Sequence, residues 1–193
     1  LILPALPVGQ PTLPLRWEHF STVGVSLNTD ALGHHLVASN FRQMMELAWT
    51  RLTDRGYQRI GLVIDRDFEA RSHGDLSAHF LRLQRTVAGR DLPELLVAPQ
   101  LTAENLHRWF RAEKPDAIVS LNSVVSLLLR RSGVAVPDEV GLAHLAASVS
   151  CPTGVSGVDR RPHLLGSIAI EQLARQLQLN EYGIPRNQFI TLV

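Results

Sequence analysis

The chain has 193 residues and a formal net charge of +1, with 45% hydrophobic and 19% charged residues. This balance is typical of a globular protein with a buried core and argues against a disordered chain. The near-neutral charge argues against a segment that grips nucleic acid through its phosphates. A single cysteine, Cys151, cannot form an internal disulfide or a cysteine-based zinc site, which fits a reducing, cytoplasmic location. No apolar run reaches the length of a membrane span.

The first 30 residues predict short strands and loops. Residues 1–3 are an apolar run that resembles the tail of a strand, and four prolines make 4–14 an irregular loop. Residues 21–25 predict a second short strand, followed by a turn at 28–30.

From residue 36 onward, amphipathic helices alternate with short apolar strands. The predicted helices are 36–55, 73–88, 103–112 and 123–132, and the predicted strands are 59–64, 95–97, 117–120 and 140–145. Gly56 stands where a helix ends, and Thr102 stands where one begins. Continuous apolar strands separated by helices predict a parallel, doubly wound α/β sheet with right-handed crossovers.

After residue 145 the alternation changes. Residues 146–157 are small or polar, with a short strand at 155–158, and they precede an amphipathic helix at 163–179 and a closing strand at 189–193. The segments outside 31–145 contain too few predicted strands for a second sheet. We therefore expect a second lobe of which a part precedes residue 1.

Three stretches resemble the LacI/GalR family of transcription regulators. They are RLTDRGYQRIGLVIDRDFEAR at 51–71, KPDAIVSLNSVVSLLLRRSGVAVPDEVGLAHL at 114–145 and VSGVDRRPHLLGSIAIEQL at 155–173. The first is similar to the family's helix, Gly, His or Tyr, then Arg-Ile-Gly-Leu with an Arg on the loop beyond. The three occur in the family's order and spacing, so the resemblance covers nearly the whole chain.

The resemblance implies a two-lobed, periplasmic-binding-protein-like type I fold. Residues 1–30 and 160–186 would form part of an incomplete N-terminal lobe, and 31–159 with 187–193 the C-terminal lobe. A small-molecule effector would bind in the cleft between the lobes, without a cofactor. The resemblance also implies a homodimer that contacts operator DNA only through a headpiece absent from this chain. The apolar positions around residues 127–129 are consistent with a dimer surface.

Open parallel sheets bind ligands at the carboxyl ends of their strands. This rule selects the loops at 65–73, 98–102, 121–123 and 146–150. Arg71 lies on the first loop, and its guanidinium offers a fork of donors suited to hydroxyls or carboxylates. The resemblance implies that it contacts the effector. The alternative is a salt bridge with a nearby acid: Asp65, Asp67 or Glu69.

Three further residues are candidates for the effector site. Asn122 directly follows a predicted strand and matches a polar residue that faces the cleft in the family, although it could instead cap the next helix. Phe68 could stack on a ring or serve packing alone. Ala146 stands where the family's sugar sensors place an Asp, and Ala146 cannot accept a hydrogen bond. We therefore expect a ligand with its own negative charge or carbonyl acceptors, unless Asp65 or Glu69 supplies the acceptor or the cleft has lost its ligand.

The sequence offers little support for catalysis. Asp75 and His79 share a helix face but have no third ligand, so we predict no metal site. Residues 154–157 lack the G-x-S-x-G spacing of a nucleophile elbow, and neither a P-loop nor G-x-G-x-x-G occurs. The sequence favours the effector-binding and dimerisation region of a transcription regulator, not an enzyme, that senses a small sugar-like ligand. The alternative is the solute-binding protein of a transporter with the same fold.

Overall fold

A computed structural model describes residues 1–4, 13–26, 33–87, 91–147 and 156–193. The predicted turn at 28–30, Cys151 and most of the predicted loops at 4–14 and 146–157 lie outside the described residues. The chain divides into two compact units. Unit 1 comprises Leu1–Asn40 and Arg161–Val193, and unit 2 comprises Phe41–Arg160. None of the helices in the described segments is long and apolar enough to cross a membrane.

Unit 2 contains a five-stranded sheet in which every pair of neighbouring strands is parallel. The strand order is β5-β4-β6-β7-β8. The strands are β4 (Ile60–Asp65), β5 (Leu96–Ala98), β6 (Ala117–Ser120), β7 (Gly141–Ala147) and β8 (Ser156–Asp159). The helices are α1 (Phe41–Asp54), α2 (Arg66–Arg71), α3 (Asp75–Gln84), α4 (Ala103–Glu113) and α5 (Val124–Arg131). The predicted parallel, doubly wound sheet is confirmed.

The core of unit 2 lies on both faces of this sheet, because successive side chains of a strand point to opposite sides. Leu62 and Ile64 of β4 pack with buried residues of α1 and α3, whereas Val63 packs with those of α4 and α5. The continuous apolar runs of the sequence thus reflect strands that are covered twice. Of the residues 127–129, Leu128 and Leu129 belong to this core, and only Leu127 is exposed, at 46%.

The helix ends agree with the predicted caps at two positions. The Thr102 hydroxyl accepts a hydrogen bond from the Asn105 amide at 3.2 Å, and the Asn105 side chain accepts one from the Thr102 amide at 2.9 Å. This reciprocal pair satisfies two otherwise unpaired donors at the start of α4. Gly56 follows α1 with φ of +90°, a left-handed conformation that favours glycine after a helix.

Two helix boundaries differ from the prediction. The predicted helix 36–55 is split into β3 (His35–Ala38) and α1, because all four residues of β3 are buried within a sheet. The predicted helix 73–88 begins later as α3, and the predicted loop before it contains α2. Asp65 starts α2, since its carboxylate accepts a hydrogen bond from the Phe68 amide at 2.7 Å.

Unit 1 contains a second parallel sheet of four short strands in the order β1-β2-β3-β9. Besides β3, these are β1 (Ile2–Leu3), β2 (Val23–Val25) and β9 (Ile190–Leu192), with α6 (Pro162–Gln178) packed against them. The expectation that the segments outside 31–145 contain too few strands for a second sheet is wrong, because β1, β2 and β9 form one together with β3. The predicted lobe boundaries also need correction, because β3 pairs with both β2 and β9. Residues 33–40 and 187–193 therefore belong to unit 1.

A buried amide attaches α6 to the sheet of unit 1. The Gln176 side chain accepts a hydrogen bond from the Thr22 amide and donates one to the Thr22 carbonyl, both at 3.1 Å. Because Gln176 is only 5% exposed, these bonds satisfy polar atoms that would otherwise be buried without partners. The buried apolar cluster of unit 1 has only four members among the described residues, which are Val23, Val37, Leu165 and Ala169.

Three buried histidines predict that acid destabilises the fold. Burial lowers the pKa of His34, His35 and His144 below the ordinary value of 6.5. Their side chains are therefore harder to protonate in the folded state than in the unfolded chain. We expect the free energy of unfolding to be highest above about pH 6.5 and to fall as the pH drops through the folded-state pKa values.

Urea unfolding at about pH 7.5 and at about pH 5.5 tests this expectation. His144→Leu should reduce the difference between the two free energies, because it removes one of the buried titrating groups. His163→Leu is the matched control, since His163 is exposed and its replacement should leave the difference unchanged. Equal stability at both pH values would contradict the prediction.

Candidate functional site

The carboxyl ends of the strands in unit 2 form one edge of its sheet. From β4 the chain moves to β5 on one side and then crosses to β6 on the other side. The strand order therefore changes direction between β4 and β6, and ligands of open parallel sheets bind in the crevice at such a point. The segments that follow these two strands carry Arg71 and Asn122.

Arg71 is the last residue of α2 and is half-buried. No salt bridge joins it to Asp65, Asp67 or Glu69, so the alternative of a local ion pair is not realised in the structure. Its guanidinium carbon lies 5.7 Å from the centre of the Phe68 ring, within the range of a cation–π contact. Among the described residues, none accepts a hydrogen bond from it. Its donors are therefore available to a ligand.

Asn122 both caps a helix and retains donors. Its side-chain oxygen accepts a hydrogen bond from the Val124 amide at 3.0 Å, at the start of α5. Its own backbone amide donates to the buried Ser120 hydroxyl at 3.1 Å, which fixes the turn after β6. The side-chain NH₂ of Asn122 makes no hydrogen bond with a described residue. The two interpretations of Asn122, cap and ligand contact, are thus compatible.

Phe68 lies in a row in which two neighbouring aromatic rings are flanked by a cationic side chain at each end. Its ring meets the Phe41 ring edge to face, with centres 5.3 Å apart. The Arg160 guanidinium carbon lies 5.6 Å from the centre of the Phe41 ring. We call these four residues the Arg–Phe row: Arg71, Phe68, Phe41 and Arg160. Phe41 and Phe68 also pack on the core, so Phe68 serves packing and leaves part of its ring accessible.

Few acceptors accompany these donors. Ala146 lies near the end of β7 and has no side-chain acceptor. One carboxylate oxygen of Asp65 is used to cap α2. The Glu69 carboxylate lies beside Gly74, and its Oε2 atom is buried. Among these candidate residues, unpaired hydrogen-bond donors therefore outnumber unpaired side-chain acceptors.

Among the described residues, no cluster of potential metal ligands offers an alternative centre of chemistry. His79 was considered with Asp75 as a metal ligand. Its Nε2 atom lies 3.3 Å from Oε1 of Glu46. Within the described parts of the chain, no group of three or more potential metal ligands is present. Two cavities of about 550 and about 500 Å³ lie elsewhere, one in unit 1 beside His35 and Phe189 and one in unit 2 between α1 and the first half of β7. Neither cavity is lined by any of the predicted effector-site residues, which are Arg71, Asn122, Phe68 and Ala146.

A family model described as a periplasmic binding protein-like domain matches residues 49–192 of the chain. The chain belongs to this family. The expected periplasmic-binding-protein-like fold is thereby confirmed, and the match includes Phe68, Arg71, Asn122 and Ala146. No match was found among curated protein sequences.

Solved structures similar to this periplasmic-binding-protein-like domain include LacI-family transcription regulators. A putative LacI regulator from Bacillus cereus subsp. cytotoxis matches 91% of the chain with a TM-score of 0.63 and 16% identity, and the chain covers 65% of it. A LacI-family regulator from Enterococcus faecium with bound ribose matches 89% of the chain with a TM-score of 0.63 and 15% identity, and the chain covers 66% of that structure. The regulator CelR in complex with cellobiose matches the full length of the chain with a TM-score of 0.70 and 15% identity, and the chain covers 62% of that structure. The chain thus spans less than two thirds of the length of these three structures, whose likeness shows the fold.

Sequence reasoning missed two members of the Arg–Phe row. Arg160 directly follows β8, so the rule that selected the other loops would also select it when extended to the predicted short strand at 155–158. Phe41 gives no such signal, because its position beside Phe68 results from the packing of α1 against the sheet.

Proposed function

We propose that this chain is the effector-binding and dimerisation region of a LacI/GalR-type transcription regulator and has no enzymatic activity. Its effector is a small, polar, sugar-like molecule. The effector favours one of two states of a homodimer, and this choice alters the affinity of the regulator for operator DNA in the cytoplasm. DNA contact belongs to a headpiece outside these 193 residues, in keeping with their net charge of +1.

The observation that carries the proposal is the half-buried guanidinium of Arg71 at the point where the strand order reverses. Taking a charged group out of water is costly unless it has a partner. Arg71 has only the Phe68 ring among the described residues, and Asn122, on the segment after the neighbouring strand β6, offers its side-chain NH₂ as a second donor. A ligand that accepts hydrogen bonds would supply the missing partners. Structural neighbours that hold ribose, cellobiose or D-xylulofuranose support a ligand of this class.

Isothermal titration calorimetry against a panel of sugars tests this proposal. A hydrogen bond to a charged group contributes about 1.5–3 kcal/mol, so we expect Arg71→Ala to weaken effector binding by roughly 10- to 100-fold. Arg66→Ala is the matched control, because Arg66 is an exposed residue of the same helix. Equal binding by Arg71→Ala and the unaltered protein would count against the assigned site.

The second candidate function is that of a solute-binding protein of a transporter. Such a protein has the same fold but does not bind DNA. One structural neighbour is itself described as a periplasmic binding protein/LacI transcriptional regulator. The intact protein should bind operator DNA, and the effector should change that affinity. Ligand binding without any DNA binding by the intact protein would favour transport.

A further inference from the structure

Unit 1 contains a cavity of about 550 Å³ that the proposed effector site does not use. One part of its wall is the second half of α6 and the segment that follows this helix. The other part is His35, the first residue of β3, and Phe189, the residue before β9. All of these elements belong to unit 1, so the cavity is separate from the effector-site residues of unit 2.

The His35 side chain carries an unused hydrogen-bond donor at this wall. Its Nδ1 atom accepts a hydrogen bond from the Phe189 amide at 3.1 Å, and the two rings stack with centres 5.3 Å apart. Because Nδ1 is the acceptor, the neutral imidazole carries its proton on Nε2. His35 is only 6% exposed, yet no described residue accepts a hydrogen bond from Nε2. An acceptor in the cavity would supply the partner that a buried donor needs.

Gln172 provides the complementary group, an acceptor without a partner. It lies on α6 and lines the same cavity. Its Oε1 atom is buried, and no described residue donates a hydrogen bond to it. The wall thus combines one unpaired donor with one unpaired acceptor, which favours a ligand that has groups of both kinds.

Charged side chains of both signs also line this cavity. Burial lowers the pKa of His35, the Glu181 carboxylate raises it and the Arg175 guanidinium lowers it, so both charges act on the ring. Among the described residues, neither Glu181 nor Arg175 forms a salt bridge. Arg186 lies at the same wall, so two cationic side chains face one anionic side chain. A molecule with both charges and an excess of negative charge complements this lining.

We propose that the cavity of unit 1 binds an acidic α-amino acid. Its α-carboxylate accepts hydrogen bonds from His35 and Arg175. Its ammonium group donates to Gln172 and Glu181, and its side-chain carboxylate lies near Arg186. The inference goes beyond the proposed function and does not depend on it, because this site is complete within unit 1 whether or not unit 2 senses a sugar.

Isothermal titration calorimetry with glutamate and three analogues tests each charged group of the ligand. Isoglutamine has an amide in place of the α-carboxylate, N-acetylglutamate has no ammonium charge, and glutamine has no side-chain charge. We expect glutamate to bind most tightly and each analogue to bind about tenfold more weakly, since each loses one charge-assisted contact. Aspartate keeps all three charges on a shorter side chain.

Substitutions then connect binding to the cavity. His35→Asn offers the Phe189 amide an acceptor in place of Nδ1 but removes the Nε2 donor. Arg175→Gln and Glu181→Gln change exposed side chains, so they should leave the fold intact. We expect each of the three to weaken glutamate binding by about tenfold. Glu171→Gln is the matched control, because Glu171 is an exposed residue of α6 that does not line the cavity.

Three results would overturn the inference. The first is that neither glutamate nor aspartate binds, and the second is that Arg175→Gln and Glu181→Gln both bind glutamate as the unaltered protein does. The third is that Arg71→Ala abolishes glutamate binding while the cavity variants retain it, which would place the amino acid at unit 2. Sugar binding is measured separately on the same protein, so the sensing function and the amino-acid site can fail independently.

Discussion

Replacement of Phe80 by alanine is expected to lower the free energy of unfolding by about 3–5 kcal/mol. Phe80 is completely buried on α3, and its ring meets the Trp49 ring of α1 nearly at a right angle, with centres 5.7 Å apart. The substitution removes this contact and leaves a cavity between two helices and the sheet, which the surrounding side chains cannot fill without moving the backbone. Unit 2 would lose a large part of the stability of an ordinary domain.

The measurement is urea unfolding followed by tryptophan fluorescence, since Trp49 lies directly beside the altered site. Leu81→Ala is the matched control, because Leu81 is the next residue of α3 and is 40% exposed. Phe80→Leu should lie between the two, since it retains much of the buried volume. Similar losses for Phe80→Ala and Leu81→Ala would contradict the packing described here.

Addition of a single methyl group at Gly61 is expected to cost about 1–3 kcal/mol. A Cβ atom at Gly61 would lie 2.6 Å from Cη2 and 2.7 Å from Cζ2 of Trp109. The indole cannot easily move away, because Trp109 is buried on α4 and its ring N–H donates to the Glu94 carbonyl at 2.7 Å. The close approach of α4 to β4 therefore requires glycine at this position of the strand.

A double-mutant cycle checks that the cost of Gly61→Ala arises from Trp109. Trp109→Leu removes the six-membered ring that the new methyl group would strike, so Gly61→Ala should cost much less in that background. Gly166→Ala in α6 makes the same chemical change where nothing beyond the local backbone of the helix lies within 4 Å of the new Cβ, and it should be neutral or slightly stabilising. An equal cost of Gly61→Ala in both backgrounds would show that the strain lies elsewhere.

The alternation of unit 2 could be predicted from sequence because β4, β5, β6 and β7 are mainly apolar and several helices have a recognisable end. Thr102 and Gly56 mark such ends through local chemistry that needs no distant partner. The boundary between β3 and α1 was not readable in this way. Leu36 fits the apolar spacing of the following helix, and only its pairing with strands more than ten residues away makes it part of a sheet.

The same distinction applies to the candidate site. Arg71 and Asn122 were predictable because each follows a strand, and parallel topology brings the ends of those strands to one edge. The partners of Phe68 were not predictable, because Phe41 and Arg160 reach it through contacts between side chains far apart in sequence. A pattern of residue types can indicate which strand ends share an edge, but not which side chains touch there.

The contact between Phe41 and Arg160 joins the first and last residues of unit 2. A segment whose two ends meet can be excised without cutting a strand or separating paired neighbours, and proteins tolerate domain insertion at such places. All five strands of its sheet and both apolar clusters lie between these two residues. Unit 2 thus has the form of a guest domain inserted into a host. The Arg–Phe row lies within this segment, so it could be transplanted as a whole into another protein by a single pair of junctions.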